Sequence, residues 1–130
     1  MATLEHVNLT VSDPKATADM LCTLFDWRVR WEGASMDEGY TFHVGDEESY
    51  LAVYAKGTPY TTNPANRPRR TGLNHIGITV EDLRLCEQRV TRAGFRTFNH
   101  SNYDPGERFY FLDADQIEYE VISYNRIPAA

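Results

Sequence analysis

At 130 residues, 42% of them apolar, the chain is long enough for one hydrophobic core but too short for a core plus a separate cofactor-binding domain. A formal net charge of −6 argues against nucleic acid as a partner. No apolar run approaches a membrane span and the N-terminus lacks a basic-plus-apolar secretory pattern, so the expectation is a cytoplasmic protein without membrane contact.

The chain opens on Leu4-Glu5-His6-Val7-Asn8-Leu9-Thr10-Val11, whose alternation predicts a strand. Residues two apart share a side, so His6, Asn8 and Thr10 face one way and Val7, Leu9 and Val11 the other. Ser12-Asp13-Pro14 reads as a helix start, because Asp can accept orphan backbone donors and Pro at the first helical position loses no bond. Met20, Leu21 and Leu24 follow at helical spacing. A further strand is expected near residues 28–31, and strands over 40–44 and 50–54 close a first module of about 1–56. Residues 57–72 hold three prolines and small polar residues, which exclude a helix or central strand and mark a connector. Arg67, Arg69 and Arg70 make it basic, read most simply as a solvated linker.

From residue 73 the pattern returns. Leu73-Asn74-His75-Ile76-Gly77-Ile78-Thr79-Val80 repeats the first strand, with histidine again third. Glu81-Asp82-Leu83 opens a helix carrying Leu83, Cys86, Val90 and Ala93, and Gly94 supplies a stop. Strands near 96–98, over 108–112 and over 117–123 complete a second module of about 73–125. Trp27 matches Phe95, and from there the correspondence runs without a gap through Val44 and Leu112 to Ala52 and Glu120. On that alignment His43 matches Phe111 and lies off the face that Tyr110 occupies, a structural or surface residue. Cys22 and Cys86 fall on or beside the apolar helix faces as reduced thiols, because two cysteines make no disulfide framework.

The apolar strand faces pack on the helices, which leaves the histidine faces to line the concave side of a sheet. Glu118 and Glu120 share one face of the last strand, and a carboxylate there is costly to bury unless paired or metal-bound. His6, His75 and one of these glutamates form a two-histidine, one-carboxylate set suited to Fe(II) or Mn(II) with open coordination positions. The repeat leaves the choice of glutamate open. Ala52, the counterpart of Glu120, removes the fourth ligand a symmetrical site would have.

These two strand-helix-three-strand modules with His6 and His75 resemble the vicinal oxygen chelate superfamily, which includes glyoxalase I, epimerases, fosfomycin and bleomycin resistance proteins and extradiol ring-cleaving dioxygenases. The resemblance implies an α+β fold over residues 1–130 as a single domain, with two tandem βαβββ modules forming a curved, partly closed eight-stranded mixed sheet and the helices outside. The stretch from Phe109 to Glu120 resembles the superfamily's closing hairpin, with Ala114, Gln116 and Ile117 where Pro, Gly and Asn are usual. On that match Glu120 is the metal ligand beside His6 and His75. The order His100, Phe109-Tyr110, Asp113, Glu120 is similar to the extradiol signature, which would make His100 the catalytic acid/base and Tyr110 a hydrogen-bond donor to a catecholate oxygen. A base near neutral pKa suits a catechol that must lose protons on binding.

The resemblance thus implies a metal-dependent enzyme, with an Fe(II) dioxygenase of a catechol-like aromatic diol as the leading expectation. Fe(II) is the favoured metal, with Mn(II) or Zn(II) as substitutes, and a homodimer is the expected assembly. Alternatives are a glyoxalase- or fosfomycin-resistance-type transferase or lyase using Mn, Zn or Ni, and a non-enzymatic drug- or metabolite-binding protein of the same fold. Trp27, Trp31, Tyr50 and Tyr54 are candidates to line a flat cavity, with core packing the simpler role for Trp27.

Overall fold

Each copy of the repeat folds as strand, helix and three strands. In the computed structural model the order is β1 (His6–Thr10), α1 (Pro14–Phe25), β2 (Arg28–Ser35), β3 (Gly39–Gly45) and β4 (Tyr50–Ala55) in the first copy. The second runs β5 (Ile76–Thr79), α2 (Leu83–Arg92), β6 (Thr97–Tyr103), β7 (Gly106–Leu112) and β8 (Glu118–Ser123). The structure describes residues 1–35, 37–56, 72–103 and 106–125, so the expected connector at 57–72 lies outside the described residues apart from Gly72. Contacts divide the chain into two compact units, Met1–Thr62 and Asn63–Ala130.

The strands form two four-stranded sheets of identical topology, β1-β4-β3-β2 and β5-β8-β7-β6. The first strand of each module runs parallel to the last, while the remaining neighbours are antiparallel. A parallel pair needs a long crossover, which the helix and the two strands after it supply. Both modules are therefore mixed-sheet βαβββ units, and the fold is α+β.

Local sequence explains the helices. Asp13 caps α1 by accepting from the Ala16 amide at 3.1 Å, with Pro14 in the first turn, and Asp82 caps α2 through the Leu85 amide at 3.0 Å. Thr17, Ala18, Leu21, Leu24 and Phe25 form the buried face of α1, and Leu83, Cys86 and Val90 that of α2. Met20 is half-buried and Ala93 is exposed at the helix C-cap, so the apolar faces are narrower than the spacing suggests. In unit 1 the helix packs on β3 and β4, where Phe42, Val44, Leu51 and Val53 are buried beside Leu9 and Val11; in unit 2 it packs on β7 and β8, where Phe109, Phe111, Tyr119 and Val121 are buried beside Ile78. Burying each of these large side chains contributes roughly 1.5–3 kcal/mol. Both cysteines are free thiols.

Strands β2 and β6 extend well past the expected 28–31 and 96–98. Both are edge strands, and their polar sequences, such as Asn-His-Ser-Asn over 99–102, carry no alternation that would announce them. No described helix is long and apolar enough to cross a membrane.

Two glycines mark points where chains nearly touch. A Cβ on Gly45 would lie 2.1 Å from the Ser49 carbonyl oxygen, and one on Gly106 would lie 2.5 Å from that of Ser123. Gly45→Ala should therefore force the β3–β4 hairpin apart and destabilise the protein by about 1–3 kcal/mol, read as a lower midpoint in thermal melting. Asp13→Ala should cost about 1 kcal/mol through its lost cap in the same melt.

Candidate functional site

In unit 2 the β5–β8 ladder sets Gly77 beside Glu120, and the β7–β8 ladder sets Tyr110 opposite the same glutamate. His75, two residues before Gly77, therefore projects from the face that carries Glu120 and Tyr110. Its Nε2 lies 3.0 Å from Glu120 Oε1, and its ring meets Tyr110 edge-on at 5.7 Å. Glu118 is more distant, with Oε2 4.0 Å from His75 Nδ1. The second oxygen of Glu120 accepts from Arg108 Nη1 at 2.9 Å. Arg108 and Glu120 are only 14% and 15% exposed, so their charges are largely removed from water and need one another.

The hydrogen-bond chemistry of His75 is informative. Nδ1 stands 2.6 Å from Asn74 Oδ1, an oxygen that can only accept, so Nδ1 carries the hydrogen. In a neutral ring Nε2 then presents a lone pair toward a carboxylate oxygen. Two acceptors at 3.0 Å need a proton or a cation between them. An imidazole nitrogen and a carboxylate oxygen are both donor types that would hold a divalent ion. A partner holding the far nitrogen of a metal-binding histidine is a recurrent arrangement.

In unit 1 His6 is prepared in the same way. Its Nδ1 lies 2.9 Å from Glu5 Oε1, Glu5 occupies the place of Asn74 in the repeat, and Nε2 is left for another partner. The bond from His6 is the main influence holding the Glu5 carboxyl below its usual value. His6 stacks on Tyr50 at 4.9 Å, Tyr50 stacks on His43 at 4.4 Å, and Trp31 packs on His43 at 5.0 Å. The Arg30 guanidinium lies over the Tyr50 ring at 4.7 Å. Trp31 is 50% exposed, so this aromatic row is open to solvent in the chain. Trp27 instead packs on Phe25 and is half-buried at the edge of the core.

Two placements differ from the sequence reading. His43 pairs with Ala52, as Tyr110 pairs with Glu120, so Tyr110 rather than Phe111 is its counterpart. It therefore shares the face of His6. The gapless alignment fails because the first hairpin turns through 46–49 and the second through 113–117, one residue more. The longer turn is built around Asp113, whose Oδ1 accepts from the Asp115 and Ile117 amides, with Gln116 at φ 63 where the usual sequence has glycine. Burial of His43 holds its pKa below the ordinary histidine value, and the charges of His6 and Arg30 act in the same direction.

His100 is the second. The β6–β7 ladder slips between Phe98 and Ser101, and Asn99 adopts a left-handed φ of 53. Phe98 and Ser101 pair with Tyr110 and Arg108 on the glutamate side, so the bulge turns His100 to the helix side. There Nε2 bonds Glu87 of α2 at 2.5 Å and the ring stacks on buried Phe109. The structure thus brings His75, Glu120, Tyr110 and Arg108 together, while His100 contacts Glu87 and Phe109 and shares a cavity on the α2 side with Arg108. His43, Arg30 and Arg108 were absent from the sequence-derived set; the hairpin register was the missing signal for His43. Among the described residues no group of three or more His, Cys, Asp or Glu side chains stands at metal-binding distance, and His6 belongs to the other unit.

A family model described as the glyoxalase/bleomycin resistance protein/dioxygenase superfamily matches residues 5–111. The chain belongs to that superfamily. The matched segment includes both histidines and Tyr110 but ends before Glu120. A glyoxylase/bleomycin resistance protein/dioxygenase domain from Frankia sp. EAN1pec is similar in structure, with TM-score 0.79, 23% identity, and 95% of this chain and 98% of that chain covered. A glyoxalase family protein from Enterococcus faecalis gives TM-score 0.74 at 18% identity over 92% of this chain and 96% of that one. The fosfomycin resistance protein FosX from Listeria monocytogenes, in a complex with Mn(II) and sulfate, gives TM-score 0.70 at 15% identity, covering 95% and 93%. At these identities the likeness establishes the fold. No curated protein sequence matches the chain.

Burial alone would raise Glu87, but the bonds from His100 and Thr97 outweigh it and hold its pKa below the ordinary carboxylate value. Its stabilisation is therefore present above about pH 4.5 and lost as pH falls through the folded value. Acid titration of stability by circular dichroism should show a shallower acid-side loss in His100→Ala than in the wild type.

Proposed function

We propose that the chain is a divalent-metal-dependent enzyme acting on a small oxygen-bearing substrate, with His6, His75 and Glu120 as the protein ligands. The observation that carries this reading is the His75–Glu120 pair, two acceptors held 3.0 Å apart with the far nitrogen of the histidine already engaged. His6 matches His75 in the repeat and is engaged the same way by Glu5. His6 belongs to unit 1 and the pair to unit 2, and a homodimer is the assembly we propose.

When bound, the metal would act as a Lewis acid toward the substrate oxygens. The chain's own residues supply the rest. Arg108 holds one oxygen of the Glu120 carboxylate and leaves the other toward His75, and the Tyr110 hydroxyl is carried on the same face as a hydrogen-bond donor. The Trp31–His43–Tyr50 row offers flat apolar contact next to His6.

For the reaction we favour redox-neutral transfer or lyase chemistry with Mn(II) or Zn(II). Ring cleavage of a catechol-like diol on Fe(II) calls for an acid/base beside the substrate, and the residue expected to supply it, His100, faces α2. The presence of Mn(II) with FosX, a protein of the same fold, supports Mn(II) as the metal. Tyr110 beside His75 supports the Fe(II) dioxygenase as the second reading, because that hydroxyl is the donor ring cleavage would use.

The test is elemental analysis of protein purified without oxygen, followed by catechol-dependent oxygen uptake. Near-stoichiometric Mn or Zn without uptake supports the favoured branch, and Fe with uptake replaces it by the dioxygenase. Failure to take up any divalent ion on reconstitution would falsify the metal reading. Glu120→Gln should reduce metal content severely while the melting transition stays cooperative; unchanged metal content in that variant removes Glu120 from the ligand set.

A further inference from the structure

The first module carries one ring from each of its four strands on a single face. In sheet order these are His6 on β1, Tyr50 on β4, His43 on β3 and Trp31 on β2, with successive ring centres 4.9, 4.4 and 5.0 Å apart. Neighbouring strands stand about 4.8 Å apart, so the rings form a continuous band across the sheet. Every ring in it belongs to unit 1, and no residue of the second module is needed to build it.

Both ends of the band are fixed. At one, the Glu5 carboxylate accepts from His6 Nδ1 at 2.9 Å and from the Tyr50 hydroxyl at 3.3 Å. At the other, the indole of Trp31 lies over Gly33, where a Cβ would stand 2.7 Å from Trp31 Cζ2 and 2.9 Å from Cη2. The missing side chain is the bed of the indole, which is still 50% exposed. A ring held in place before a ligand arrives spares the ordering cost of binding.

Charge and shape decide what suits this surface. The Arg30 guanidinium over Tyr50 shares its field with two carboxylates, Glu5 and Asp46, and Arg28 is paired with Glu47, so no excess of positive charge calls for an anion. Burial keeps the His43 pKa below the ordinary histidine value, which leaves that ring uncharged at neutral pH. Its plane is tilted 49° to that of Trp31, so a fused pair of rings stacked on the indole can meet His43 at an edge. Offset and edge contacts between rings both add to what apolar burial alone supplies, and a saturated body of equal size lacks that addition.

We propose that this band seats the body of the substrate and selects a flat, uncharged aromatic of two fused rings over an aliphatic body of equal size, with Trp31 making the distinction and Gly33 positioning it. The band stands on unit 1 alone; that its occupant is the substrate rests on the metal reading, through His6 at the far end.

The test titrates 2-naphthol and its saturated analogue decahydro-2-naphthol into the metal-free protein, with indole and backbone N–H signals followed by NMR. 2-Naphthol should move the Trp31 indole signal and bind about 3- to 10-fold more tightly than the saturated analogue. Trp31→Leu, which keeps apolar bulk and removes the indole, should abolish the preference by weakening 2-naphthol alone. Gly33→Ala keeps the tryptophan but lifts it off its bed, and should reduce the preference while Trp31→Phe retains part of it. Equal affinity for the two probes in the wild type, or both affinities falling together in Trp31→Leu, would overturn the selection. Isothermal titration under argon then reads the substrate assignment: Mn(II) should tighten 2,3-dihydroxynaphthalene in the wild type and not in Glu120→Gln, and Mn(II) uptake without that gain overturns the assignment. A protein that keeps the planar preference but takes up no metal overturns the metal reading and leaves the selection standing; metal uptake without planar preference overturns this proposal alone.

Discussion

In each module the first strand pairs in parallel with the last, and every candidate ligand owes its place to that ladder. The β5–β8 register sets Gly77 against Glu120, which brings His75 within 3.0 Å of a carboxylate 45 residues away. The β1–β4 register does the same in the first module, where His6 stacks on Tyr50. A parallel pair cannot be closed by a tight turn, so the helix between the strands is a topological requirement as much as a source of apolar cover. The two capping aspartates, Asp13 and Asp82, begin those crossovers at matching points.

The modules share this frame and differ in what they mount on it. Where the second carries Glu120 and Tyr110, the first carries Ala52 and His43. Glu118 in the second corresponds to Tyr50 in the first. One face is thus acidic and hydrogen-bonding; the other is a stacked row of rings with Arg30 over Tyr50. A duplicated scaffold with unequal faces suits a site that needs a single carboxylate and a separate surface for a substrate body.

Glu120 shows how such a face tolerates a largely buried charge. Burying a carboxylate without partners costs far more than the marginal stability of a small domain can absorb. Here Arg108 neutralises one oxygen while His75 meets the other, and the closing turn is held separately by Asp113, which accepts from Tyr119 at 3.1 Å. Burial pushes the Asp113 carboxyl above its usual pKa, against the backbone and Tyr119 hydrogen bonds that favour its charged form. The turn therefore supports β8 from outside the ligand face, which leaves Glu120 free of a structural duty in the turn.

The sequence by itself determined the repeat, both βαβββ modules, their capped helices and the histidine faces, because each rests on short-range patterns: alternation in strands, spacing in helices, caps at their starts. It also singled out Glu118 and Glu120, since charges within an apolar strand stand out against their neighbours. Tertiary structure decided the rest, for two physical reasons. A single residue added to one hairpin shifts its pairing, and a shift of one moves a side chain through the sheet, which is how His43 came to the face of His6. A bulge at Asn99 does the same within β6 and carries His100 to the helix side. Arg108 looked like any strand-end arginine until the ladder placed it against Glu120; pairing between strands distant in sequence leaves no local mark on either one.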